Sequence, residues 1–200
     1  MTEQQILKKL KADYPNLVMD WHPFPKTYRG NEEIKAIILG ADPTRIVAGR
    51  PQPMATVFEI HKEDSPYFRS IRKNIDLVDG LSMDNVYVQN FCRNYFSAET
   101  SKNSNWAAIA RSYWGEFLAE ELNNMFEPQV PVLATTEFIL KAILNKEKVN
   151  KAAIIYRNCV TIPGTDNLLG REVIPFYRHY HYSLEKWGGY RKFLSERFTD

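Results

Sequence analysis

A short apolar run, Ile34-Lys35-Ala36-Ile37-Ile38-Leu39, stops at Gly40 and is followed by Ala41-Asp42-Pro43-Thr44. The run has the length of a buried strand, and Gly40 and Pro43 break it sharply. In a parallel sheet, Asp42 would lie in the crevice beyond the strand's carboxyl end, where such folds bind ligands. An acid held there by a stiff turn is a candidate catalytic group. The alternative is that Asp42 only caps a following helix or turn.

The rest of the chain alternates between two periodicities. Residues 3–13 predict a helix with Ile6, Leu7 and Leu10 on its apolar face. Trp21-His22-Pro23-Phe24-Pro25 reads as a rigid extended lead-in to the strand at 34–39. Residues 42–63 form a long irregular stretch with Gly49, Pro51 and Pro53, and a loop of that length in a compact domain is usually functional. Asp64-Ser65-Pro66 then opens a helix carrying Phe68, Ile71, Ile75 and Val78, which stops near Gly80.

Further strands are expected at 85–90, 130–134, 152–160 and 172–176, and helices at 105–126, 136–144 and 183–198. Ser183 would cap the last of these. Strands alternating with helices argue for an α/β fold with a mainly parallel sheet. No repeat, linker or low-complexity segment divides the chain, so residues 1–200 are read as a single domain.

Composition narrows the function by exclusion. The 44% hydrophobic content is enough for a real core. No apolar run reaches the ~20 residues that span a bilayer. The first residues are polar and lack an apolar signal region, so a cytoplasmic location and no membrane partner are expected. Cys92 and Cys159 lack metal-site spacing and are expected to be buried, inert thiols. The net charge of +2 neither demands nor excludes an anionic partner, although residues 151–200 carry a weak basic bias. There is no G-x-S-x-G, Walker loop or G-x-G-x-x-G.

Several other residues share the sheet edge that Asp42 would occupy. Asn90 ends the next strand, and its amide could read an imide or amide edge through two hydrogen bonds, or tie down its own loop. Phe58 in the long loop could stack on a planar ligand or anchor the loop. His179 and His181 follow the strand at 172–176 and could supply an imidazole, or simply lie on the surface. A zinc site would need ligands that the sequence does not obviously bring.

Taken in order, these residues resemble the uracil-DNA glycosylase superfamily. Its best-known branch has G-Q-D-P-Y-H after a strand, where this chain has Gly40-Ala41-Asp42-Pro43-Thr44-Arg45. A phenylalanine before a proline-initiated helix follows, matched by Phe58 and Ser65-Pro66-Tyr67-Phe68. Next comes an apolar strand ending in asparagine, here Val86-Tyr87-Val88-Gln89-Asn90. The last motif, usually H-P-S-P, is best matched by His181-Tyr182-Ser183, or by His179 with a different loop count. The similarity in order runs over roughly residues 30–198.

The resemblance implies a three-layer α/β/α sandwich with a central, mainly parallel four-stranded sheet. It implies hydrolysis of the N-glycosidic bond of uracil or a related damaged pyrimidine in DNA, with the base flipped out of the stack. Asp42 would orient water and stabilise the sugar cation. Phe58 would stack on the base, and Asn90 would read its edge. His181, or else His179, would donate to the departing base. Gly40, Ala41 and Thr44 would shape the base pocket, and Arg45, Arg178 and Ser183 would face the DNA. Leu184 or Tyr182 would be the wedge. The resemblance implies a monomer with no metal and no cofactor.

This chain also departs from the motif. Ala41 stands in place of glutamine and Thr44 in place of tyrosine, which could admit a 5-substituted pyrimidine. Branches that bind a cluster through four cysteines are excluded as close relatives, since this chain has only two. Two other readings stay open. One is a non-catalytic DNA- or protein-binding member of the same fold, and the other is a glycosidase acting on free nucleosides.

Overall fold

The computed structural model describes residues 1–20, 23–62, 65–145 and 150–199. The chain opens with α1 (Glu3–Asp13), as its periodicity predicts, and Ile6, Leu7 and Leu10 are its buried face. Its start is fixed by a reciprocal cap. The Gln5 backbone N–H donates to Thr2 Oγ1, and the Thr2 N–H donates to Gln5 Oε1. The lead-in expected at 21–25 and the cap expected at Asp64 fall partly or wholly outside the described residues.

The centre is an α/β arrangement around a mixed sheet of five strands in the order β1-β5-β2-β6-β7. These are β1 (Tyr28–Arg29), β2 (Ala36–Gly40), β5 (Val86–Asn90), β6 (Val132–Ala134) and β7 (Val173–Pro175). β2 pairs in parallel with β5 on one side and β6 on the other, and β7 pairs in parallel with β6. Every residue of these four strands is buried, which explains why they read as mainly apolar runs, with Gln89 and Asn90 the buried polar end of β5. The added edge strand β1 runs antiparallel to β5. With only a pair of residues, it carries no pattern that a sequence reading could detect.

The long segment after β2 is more ordered than expected. β3 (Ile46–Val47) and β4 (Arg50–Pro51) form a hairpin. Its turn is Ala48-Gly49, with φ of +49° and +74°. Positive φ at both turn residues matches the right-handed twist of the paired strands. A short 3-10 turn, Val57–Glu59, follows and leads into α2 (Pro66–Asp76). Ser65 stands at the N-cap of α2, but its hydroxyl donates to the Phe58 carbonyl and to Glu59 Oε2, both at 3.2 Å.

The helix expected at 105–126 is built as α3 (Trp106–Ile109), a π-helical segment at 110–115, and α4 (Glu116–Met125). Then come α5 (Glu137–Ile143) and α6 (Ala152–Arg157). The last corrects the strand expected at 152–160. Ala152, Ile155 and Tyr156 are buried while Ile154 is 44% exposed. That is helical spacing, and a short apolar run cannot reveal it without its neighbours.

The closing helix α7 is Gly188–Phe198 and not 183–198. Ser183 therefore does not cap it. The serine ends a 3-10 turn, Tyr180–Tyr182, and its hydroxyl is buried without a partner among the described residues. Residues 183–187 form turns instead, with the Lys186 and Trp187 N–H groups donating to the Ser183 and Leu184 carbonyls, and Trp187 (φ −123°, ψ 59°) lies outside the helical region. Cys92 is buried as expected, whereas Cys159 is only partly so, in a left-handed residue (φ +50°) just past α6. One contiguous apolar cluster runs from Ile6 to Phe198.

Candidate active site

A parallel sheet brings the carboxyl ends of its strands to one edge, so the loops that leave it meet there. β2 delivers Ala41, Asp42 and Thr44, and β5 ends at Asn90. β6 is followed by Thr135 and Thr136, and β7 by Tyr177 and Arg178. Residues from all of these segments line a cleft with two adjoining chambers. The first holds about 200 Å³ and is lined by Asp42, Phe58 and Asn90, together with Ala41, Thr44 and Arg178. That volume suits a single ring better than a drug-sized ligand, whose sites are usually at least ~300 Å³.

Asp42 is held at both carboxylate oxygens. The Thr44 N–H donates to Oδ1 at 2.8 Å, and the Thr100 hydroxyl donates to Oδ2. The first bond is a local turn cap, so that alternative reading is also realised; no helix follows it. The buried Trp106 indole N–H lies close enough to favour the anion, yet has no partner in hydrogen-bonding geometry among the described residues. Burial pushes the Asp42 carboxyl above the ordinary aspartate range, and the bonds from Thr100 and Thr44 pull part of the way back. A carboxylate with a raised affinity for protons is suited to general-base work.

Phe58 is buried and left-handed, with φ of +52°, and Glu59 beside it has φ of +55°. Such residues cost of order 1–3 kcal/mol each and persist only where surrounding contacts impose them. Here Glu59 is 3% exposed and receives the Arg45 guanidinium and, at 2.7 Å, Lys62 Nζ. Burial pushes the Glu59 carboxyl up, but Lys62 and Arg45 outweigh it and hold the carboxyl below its ordinary value. Arg45 is thus bound into the loop that presents Phe58 and does not line either chamber.

Asn90 is 4% exposed, and its side-chain amide makes no hydrogen bond among the described residues. Thr44 is buried, with its hydroxyl accepting from the Phe96 N–H at 2.8 Å. Ser183 lines neither chamber. Both histidines are exposed. His179 borders the second chamber, and His181 borders neither. The His181 N–H donates to His179 Nδ1 at 3.3 Å, which leaves Nε2 of a neutral His179 to carry the proton. Of the expected wedges, Leu184 is wholly buried and Tyr182 is half-buried.

Thr100, Thr136, Phe138 and Met54 also line the first chamber and were not foreseen. Their types and local spacing carry no chemical signature; only their arrival at this edge makes them part of the site. Among the described residues, no group of three or more His, Cys, Asp or Glu side chains converges to hold a metal ion. No described helix is long and apolar enough to cross a membrane. No protein-family model, curated protein or solved structure matches the chain.

Proposed function

We propose that this protein is a DNA N-glycosylase of the uracil-DNA glycosylase type, removing uracil or a related damaged pyrimidine from DNA. The observation that carries the reading is the convergence of Asp42, Phe58 and Asn90 on one ring-sized chamber at the carboxyl edge of the parallel strands. On this reading the parallel strands β5, β2, β6 and β7 correspond to the four-stranded centre of a three-layer α/β/α sandwich. The protein would work as a cytoplasmic monomer without metal or cofactor.

The chemistry follows from the side chains. Phe58 offers a flat apolar face to the base. The Asn90 amide can accept from the base N3–H while donating to its O4 carbonyl, pairing the hydrogen bonds that the fold leaves open. Ionised Asp42 can take a proton from the attacking water and oppose positive charge developing on the sugar. His179, with a proton on Nε2, is the histidine bordering the cleft and the better candidate donor to the departing base. Ala41 and Thr44 leave the pocket wall less crowded than the bulkier residues of the motif they resemble.

Single- and double-stranded oligonucleotides carrying uracil or other damaged pyrimidines, treated with alkali after incubation, provide the test. Strand scission at the lesion that is lost in Asp42→Asn supports the reading, and no scission with any lesion sinks it. The exposure of both histidines outside the first chamber favours a second reading, a non-catalytic DNA- or protein-binding protein. Binding would then survive Asp42→Ala unchanged. Turnover of free deoxyuridine would select a nucleoside glycosidase.

A further inference from the structure

The cleft is larger than one extruded base requires. Its second chamber holds about 630 Å³, against about 200 Å³ for the first. The two share Ser101, Thr135, Thr136, Phe138 and Arg178, so one ligand can run through both. The walls of the second chamber are aromatic where the first is polar, with Tyr177, His179, Tyr180 and Tyr182 following β7.

The second chamber's walls and rim have the make-up of a base-binding surface, with polar atoms beneath them. Tyr177 is 4% exposed and stacked on Tyr156, yet its hydroxyl has no hydrogen-bond partner among the described residues. Thr136 Oγ1, in the shared wall, is also buried without one. At the rim, Tyr180 leaves a large ring 63% exposed. That ring lies 3.8 Å from the His181 ring, with Lys186 Nζ 5.1 Å from its own centroid. Flat rings, a held exposed tyrosine and a nearby lysine are the composition of a stacking platform for unpaired bases.

The state of the wedge candidates agrees. Leu184 is fully buried, and Tyr182 packs against Tyr156 and Trp187. A duplex must be pried open to release a base, whereas an unpaired strand costs least to unstack.

We propose that the second chamber binds the nucleobase next to the extruded one, which makes single-stranded DNA the substrate; this rests on the glycosylase reading of the first chamber. Two neighbouring bases occupy the two chambers, whose shared wall includes Ser101, Thr135 and Arg178. The ring of Tyr180 covers the second base.

Binding and base release are measured separately to test this. The probes are short end-labelled single strands with a central deoxyuridine, flanked either by thymidines or by abasic residues. Fluorescence anisotropy on the Asp42→Asn protein keeps the probes intact. The abasic-flanked probe is expected to bind about 5- to 150-fold more weakly, the range for loss of one base–aromatic stack. Adding Tyr180→Ala, which removes an exposed ring, should weaken the thymidine-flanked probe and leave the other unchanged. Equal affinity for the two probes overturns the proposal. So does a Tyr180→Ala defect seen only when the thymidine-flanked probe is annealed to its complement, which would make Tyr180 a wedge. Absence of uracil release by the unmodified protein sinks the glycosylase reading instead, because the anisotropy comparison needs no turnover.

Discussion

Gly40 and Asn90 stand opposite one another in the parallel register of β2 and β5, and the missing side chain of Gly40 is what leaves room for the Asn90 amide. A Cβ on Gly40 would lie 2.3 Å from Asn90 Oδ1 and 2.6 Å from Phe58 Cζ. The glycine that ends the strand therefore also leaves room for two residues that line the first chamber, Asn90 and Phe58. Gly40→Ala should force Phe58 or Asn90 out of place. The expected result is a folded protein destabilised by about 1–3 kcal/mol, as in other overpacked cores. Base release should fall far more than stability does. Thermal unfolding beside an initial-rate assay checks this.

Asp42 carries a stability cost that its removal should reveal. Its folded carboxyl sits above the ordinary aspartate value, so the native state binds the proton more tightly than the unfolded chain. Stability from that group is present below the unfolded value near ~4 and is lost as pH rises through the folded one. Asp42→Asn should therefore raise stability at neutral pH by on the order of 1 kcal/mol, as substitutions at strained functional sites often do. The gain should vanish at low pH. Denaturant melts at both pH values distinguish this from a variant that is simply neutral.

Thr100 acts through Asp42. Its hydroxyl donates to Oδ2 and favours the anion. Hydrogen bonds to charged groups contribute about 1.5–3 kcal/mol, and one pH unit is about 1.4 kcal/mol. Thr100→Val should move the acid limb of the pH–rate profile upward by about one to two units. Thr100→Ser should restore it. A fall in rate at all pH values, with no shift, would argue for a purely structural role.

The Arg45–Glu59 pair supports the strained loop that presents Phe58. Arg45→Ala leaves Glu59 buried with only Lys62 and Ser65 as partners. A loss of about 1–3 kcal/mol is expected, less than for a fully orphaned buried charge. Glu59 has a lowered carboxyl value, so this stability is present at neutral pH and disappears as pH falls through that value. The difference between parent and variant should shrink in acid, which urea melts across the pH range would detect.

Much of the site was legible because its signals are local. Buried strands are mainly apolar runs, so β2 and β5 could be located and Asp42 and Asn90 placed at their ends. The tract at 152–160 was misread for the same reason that the others were read correctly. An apolar run of that length fits either a strand or a helix face, and only the neighbours of Ile155 and Tyr156 decide which. Ser183 looked like a helix cap, but the non-helical backbone of Trp187 puts the helix start at Gly188.

The sequence by itself determined the α/β class and the order in which an acid, an aromatic and an amide leave its strands, because periodicity and chain breakers act over a few residues. Only the tertiary structure decided what surrounds them. Thr100 reaches Asp42 across fifty-eight residues, Arg45 turns to Glu59 instead of the cleft, and His179 rather than His181 borders it. Such contacts depend on how the loops fold back over the sheet edge, which no local pattern encodes.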